Sequence, residues 1–457
     1  MSWTKEEARA LADRILSFSK AEECELSLAL SDAGHTRFAA NDITTAGMAR
    51  TVSVSITSRE GNRSGSTSID EIGDDSLREA VARSEALLAT AQPNPEQVEA
   101  LGPQEYPSIP GFDESTAVAG PLRRRDGVKA ALDRARGRGL DASGFFKNNA
   151  VWSVIANKKG NFGFHRSTIA EYSTTMRTSD GTGSGYASFS SPRLGDIDAT
   201  ELAERAARKA ETSAKPRELP PGRYPVILET AAAADLLGFL TFSLSARAAD
   251  EGRSFLSKPG GGTKLGEKLF AETVTLRSDP FDPRNPGTPW SGGMGGGGFG
   301  GFGGAGAGGL PARKTTWVEN GVVKAMSVDR YWAAKTRVEP LPLSGGLIME
   351  GSSKSLEELI ADTDRALLVT RFWYLRFVNP VTITVTGLTR DGVWLVEKGK
   401  IVHPVMNFRF NESPLNLLKN VDGMSVAVRA GGSEASTMIV PAIRARDFLF
   451  TSKSDAV

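Results

Sequence analysis

VWSVIAN (residues 151–157), GNFGFHRSTIAEYSTTMRT (160–178) and GYASFSS (185–191) alternate apolar and polar side chains with a period of two. Only an extended chain places every second residue on one face, so these stretches predict a run of meandering antiparallel strands from Leu140 to Ser190. The same alternation occupies ECELSLALS (23–31), HTRFAAN (35–41) and MARTVSVSITS (48–58), with Gly34 and Gly47 read as breaks between strands. Three helices flank this sheet. The first follows Thr4, an N-cap with Glu7 three residues on, and repeats Ala8, Leu11, Ile15 and Leu16 at helical spacing. The second follows Asp75 and carries Leu77, Val81, Ser84 and Leu88 on one face. The third spans Ile197 to Thr212.

Further on, KPRELPPGRYP (215–225) places prolines where a helix or a sheet interior cannot continue. This predicts a division into an N-terminal α+β domain, 1–215, and a C-terminal β-rich domain, 216–457. The second domain opens with the strand RYPVILE (223–229) and one helical stretch, AAAADLLGFLTFSLSARAADE (231–251). Seven strand-like stretches follow, from EKLFAETVTLRSD (267–279) to TMIVPAIRARDFLFT (437–451). So many strands predict a barrel or a closed, strongly bent sheet, and the fold class is α+β. Between Gly292 and Gly309, 13 of 18 residues are glycine. At that density backbone entropy opposes helix and strand, so a mobile loop over 292–309 is expected.

Composition narrows the function. The 457 residues carry 55 Lys and Arg against 54 Asp and Glu, a formal charge of +1 that gives no general attraction for nucleic acid. No apolar run approaches the roughly 20 residues that cross a bilayer, and the amino terminus has no continuous apolar signal segment. No nucleic acid, no membrane and a cytoplasmic location are expected. With Cys24 alone, neither an intrachain disulfide nor a multi-cysteine metal site can form. His35, His165 and His403 are too far apart in sequence to share a helix face.

Short motifs give little chemistry. GGGTKLGEK (260–268) and the glycine run lack the G-x-x-x-x-G-K-[ST] order of a phosphate loop. GGSEAS at Gly431 is a near miss to a G-x-S-x-G elbow and has no His or Asp partner. Each histidine reads as a packing or hydrogen-bonding residue, Cys24 as a small buried hydrophobe, Asp279 and Asp282 as turn supports, and Arg253 as a solvated helix end.

A resemblance supplies what motifs do not. HTRFAANDIT (35–44), ATELAERAARKAETSAKPRELPPGRYPVIL (199–228), KLGEKLFAETVTLRSDP (264–280), WVENGVVKAMSVDRYWA (317–333) and VEKGKIVHPV (396–405) resemble, in order and spacing, the TldD/PmbA family, whose PmbA branch is also called TldE. In that family the TldD-type subunit is a zinc peptidase. It carries H-E-x-x-x-H on the helix after the strand matching RYPVIL, and a cysteine near its carboxyl end. Carried over from Pro225 without gaps, the three positions fall on Gly238, Phe239 and Ser243, and no late cysteine is present. A hydrogen atom, a benzene ring and one alcohol make neither a zinc site nor a base.

The resemblance therefore implies a metal-free, TldE-like subunit with no catalytic, cofactor-binding or metal residues of its own. It implies pairing with a TldD-like catalytic subunit that holds the zinc. It also implies peptide substrates, unfolded or small, such as leader segments of ribosomally made precursors, held as an added strand. Two alternatives stand beside it: a self-sufficient hydrolase with an unrecognised nucleophile, and a homodimeric peptide-binding scaffold.

Overall fold

The computed structural model describes residues 2–292, 308–343, 345–432 and 437–455. Its first half is a six-stranded sheet built from β1 (Glu23–Ala39), β2 (Asp42–Glu60), β3 (Arg63–Ile69), β4 (Leu140–Asn157), β5 (Phe162–Thr178) and β6 (Ser184–Ser191), in the order β3-β2-β1-β4-β5-β6. Every pairing is antiparallel. Alternation sorts the faces as the sequence predicts: Leu26, Leu28 and Leu30 on β1 and Ala150, Trp152 and Val154 on β4 are buried, with half-buried residues between them.

Five helices are described in this half: α1 (Lys5–Phe18), α2 (Asp74–Thr90), α3 (Glu114–Ala117), α4 (Pro121–Gly137) and α5 (Ala199–Thr212). α1 and α2 pack on β1, β2 and β4 around Leu11, Ile15, Leu77, Val81 and Trp152, and α4 and α5 cover Phe38, Phe146 and Tyr172. The expected cap at Thr4 is present, since the Glu7 amide donates to Thr4 Oγ1 at 3.1 Å and the Thr4 amide to Glu7 Oε2 at 2.8 Å. α5 presents Ala203, Ala206, Ala207 and Ala210 to the sheet, a smooth face that lets it lie close to β6.

The structure corrects two expectations here. Gly34 and Gly47 do not separate strands: β1 runs through the first and β2 through the second. Gly34 is instead a point of close approach, because a Cβ there would overlap the guanidinium of Arg124. α4, which carries Arg124, has no counterpart among the sequence-based expectations. A charged residue at a core position and Gly127 in the second turn blur its apolar face.

The second half begins at β7 (Gly222–Leu228), followed by α6 (Thr230–Phe242) and α7 (Ala246–Asp250). The remaining strands are β8 (Leu276–Ser278), β9 (Thr315–Glu319), β10 (Val322–Val323), β11 (Leu347–Met349), β12 (Arg365–Asn379), β13 (Thr384–Glu397), β14 (Lys400–Pro404), β15 (Phe408–Glu412), β16 (Val421–Met424), β17 (Val428–Ala430), β18 (Met438–Val440) and β19 (Ile443–Lys453). β12, β7, β19, β15 and β13 pair in that order, and β13 pairs back to β12, so five strands close into a barrel. Phe372, Phe408, Phe410, Phe448 and Phe450 form an aromatic cluster in its core, with ring centroids 4.4 to 5.8 Å apart in the contacting pairs. A second sheet has the order β10-β9-β8-β11-β18-β17.

The long helical stretch is cut in two at Ser243–Ser245, where Leu244 and Ala246 bond to the backbone of Ser327 instead of continuing the helix. EKLFAETVTLRSD forms a strand only at Leu276–Ser278, because Leu269 and Phe270 donate to Gly321 and the chain turns between Ala271 and Val274. Most of the glycine-rich loop expected over 292–309 lies outside the described residues, as do positions 433–436 of GGSEAS.

Overpacking a filled core typically costs about 1–3 kcal/mol. Gly34→Ala should lower stability by about that amount in urea unfolding. Adding Arg124→Met should restore part of the loss, because the two residues are in contact and their effects will not add.

Candidate functional site

α6 leaves the barrel directly from β7 and packs against β12, β17 and β18. Ala232, Ala233, Ala234, Leu236, Leu237 and Leu240 are all buried, so apolar residues lie on every side of the helix and its sequence shows no amphipathic period. The three positions singled out by sequence lie along its second half. Gly238 is buried. Phe239 is 3% exposed, and its ring meets that of Phe377 edge-on, with centroids 4.8 Å apart and an interplanar angle of 84°. Ser243 caps the helix end and its hydroxyl donates to the Phe239 carbonyl at 3.0 Å.

Other candidates are dispersed. His35 stacks on Phe145, with centroids 5.7 Å apart, and His403 Nδ1 lies 3.0 Å from the carbonyl of Pro404. His165 is buried edge-on to Trp290, and its Nε2 has no hydrogen-bond partner. Burial without a counter-charge lowers its pKa from 6.5 to about 4, so the ring is neutral at pH 7. Cys24 is buried on β1, and burial raises its thiol pKa. Asp279 accepts from the Phe281 amide at 3.1 Å and pairs with Lys314 at 3.0 Å. Asp282 pairs with Arg284 at 2.7 Å, a contact that holds its carboxyl below the usual range. Arg253 pairs with Glu251 just past α7. Among the described residues, no three His, Cys, Asp or Glu side chains come together in a way that could hold a metal ion.

Two acidic residues escaped the sequence reading. Asp235, a lone acid in the apolar run of α6, is fully buried against Gly432, where any Cβ would overlap its carboxylate. Asp391 is also fully buried. It accepts from Arg371 Nε at 2.6 Å and from the hydroxyl of Ser184 at 2.5 Å, tying β6 to the barrel. Arg371 lies over the ring of Tyr186 at 4.0 Å and near that of Trp373 at 5.3 Å. The one signal in sequence was an acid inside an otherwise apolar or strand-like stretch.

Residues 221–452 match the PmbA/TldA metallopeptidase C-terminal domain, and residues 124–214 match its central domain. The chain belongs to the TldD/PmbA metallopeptidase family. Among curated proteins, a metalloprotease of Methanothermobacter thermautotrophicus is 26% identical over 255 residues, which are 51% of this chain and 50% of that protein. The chain thus spans half the length of this relative. Among solved structures, TldE from Thermococcus kodakarensis superposes with a TM-score of 0.82 at 20% identity, covering 97% of this chain and 99% of the other. A Thermotoga maritima protein gives 0.80 at 19% identity, over 97% of this chain and 100% of its own. These likenesses show the α+β fold with its C-terminal barrel.

The family's name implies a metal, and the donor set tests it. Gly238 offers no side chain, Phe239 is locked against Phe377, and the Ser243 hydroxyl is spent on a helix carbonyl. These residues do not fit a zinc ion.

Two measurements probe this region. Phe239→Ala should cost about 3–5 kcal/mol in chemical unfolding, as expected for a large ring removed from a filled core. For His165 the unfolded state binds the extra proton between pH 6.5 and about 4, so stability should fall as pH falls through that window and level off below it. The loss is on the order of 3 kcal/mol. His165→Phe should flatten this part of the stability profile.

Proposed function

We propose that this chain is the non-catalytic subunit of a heterodimeric zinc metallopeptidase that cleaves unfolded or small peptides, leader segments of ribosomally made precursors among them. The observation that carries this reading is the apolar second half of α6, where the family's metal-binding helix has become a packing element around Phe239. The metal and the peptide cleavage then belong to a TldD-like partner.

A second observation supports association. Trp373, Tyr374, Phe377 and Val378 on β12 are 40 to 60% exposed, and a run of large apolar residues left in water is typical of a protein–protein surface. Phe377 joins this surface to Phe239 beneath it. Purified alone, the chain should carry no stoichiometric zinc and hydrolyse no peptide. Mixed with a TldD-like chain encoded in the same genome, it should co-elute in size exclusion, and peptide hydrolysis sensitive to chelator should appear. Val378→Asp, at an exposed position, should weaken that co-elution without unfolding the chain. Hydrolysis by the isolated chain in the presence of chelator would refute the assignment.

A further inference from the structure

Beyond the end of α6 lies a cavity of about 450 Å³, within the roughly 300–1,000 Å³ range of small-ligand pockets. It is bounded by the 254–270 segment, the turn between β12 and β13, and the short helix Pro414–Lys419. Its apolar lining comes from Phe255, Leu269, Phe270, Val381 and Leu415. Phe255 and Phe270 are buried, and Val381 stands half in water at the mouth. The cavity adjoins the helix that lost its metal-binding residues, since the Ser254 hydroxyl donates to the Ser243 carbonyl at 3.5 Å.

The charges around the cavity are one-sided. Lys264 and Lys419 line it, and no Asp or Glu does. Nearby lysines are neutralised: Lys258 pairs with Glu267 at 2.8 Å and Lys268 with Glu272 at 3.3 Å. The half-buried Lys264 ammonium has instead only the Phe255 carbonyl, at 2.7 Å, and neither Lys264 nor Lys419 has an ion-pair partner among the described residues. An ammonium partly withdrawn from water and held by one carbonyl keeps two N–H donors for an anion. Beside it, the half-buried Leu269 and Leu415 and the exposed Val381 gain free energy when an apolar group covers them.

The geometry points to a binding pocket for an apolar group that ends in a carboxylate. Its apolar part fills the space over Phe255, Phe270 and Leu415, and its carboxylate lies between Lys264 and Lys419. Asn416, whose side-chain carbonyl accepts from Asn420 at 2.9 Å, presents a polar edge to the same space. The free carboxy-terminal residue of a peptide and a short fatty acid share this chemistry. The inference concerns this chain alone and holds whether or not a catalytic partner exists.

Calorimetric titration of the full chain separates these cases. The probes are N-acetyl-Leu-Leu-Phe as the free acid, the same peptide amidated, decanoate and decanol. At least one acid should bind with a Kd below about 1 mM, and its neutral counterpart at least roughly tenfold more weakly. Which acid binds identifies the source. Lys419→Gln, at an exposed position that leaves folding intact, and Lys264→Gln should each weaken that acid by roughly tenfold, and Leu415→Trp should abolish binding by filling the space. Equal affinity for acid and neutral probe, indifference to both lysine substitutions, or no binding of either acid overturns the assignment.

Discussion

The burial of nine consecutive residues of one helix, Ala232 to Leu240 of α6, constrains the whole C-terminal half. Apart from Asp235, the buried stretch of α6 is apolar, and β12, β17, β18 and the short helix Pro414–Lys419 cover it together. That requirement explains why the barrel and the second sheet contribute to a single core. Closing the five barrel strands into a ring removes the open edges that so many strands would otherwise expose. Once α6 is enclosed in this way, a charged metal centre on it would have to displace packed aromatic surface, and Phe239 with Phe377 occupies that space instead.

Elements governed by a clean period were legible in the sequence. Alternation predicted β4, β5 and β6, and helical spacing with a cap predicted α1, because in both cases one face meets a core and the other does not. Legibility failed where a tertiary contact overrode the local pattern. Gly34 looks like a turn residue, yet it serves a guanidinium arriving from 90 residues later in the chain, and nothing near Gly34 signals that. α4 was missed for the same reason seen from the other side, with Arg124 occupying a position that a helical pattern assigns to an apolar residue.

The candidate site was legible only through resemblance. From the residues alone, LLGFLTFSL is an apolar helix, and its second half becomes informative only when the family pattern shows what is missing at Gly238, Phe239 and Ser243. The buried carboxylates of Asp235 and Asp391 depend on partners distant in sequence, so no local spacing could reveal them. The lysines near the cavity behave alike, since an unpaired ammonium is visible only once the ion pairs of its neighbours have been traced.

The junction made by Ser184, Asp391 and Arg371 differs in kind from the many ion pairs on the surface. Dissolved electrolyte weakens charges that mobile ions can surround, but a carboxylate with no solvent-accessible surface is reached poorly by such ions. This link between the amino-terminal sheet and the barrel is therefore screened less than the more exposed Arg247–Glu96 pair, which also joins the two halves. Concentrated salt that loosens the more exposed pair should leave the buried junction of Ser184, Asp391 and Arg371 in place.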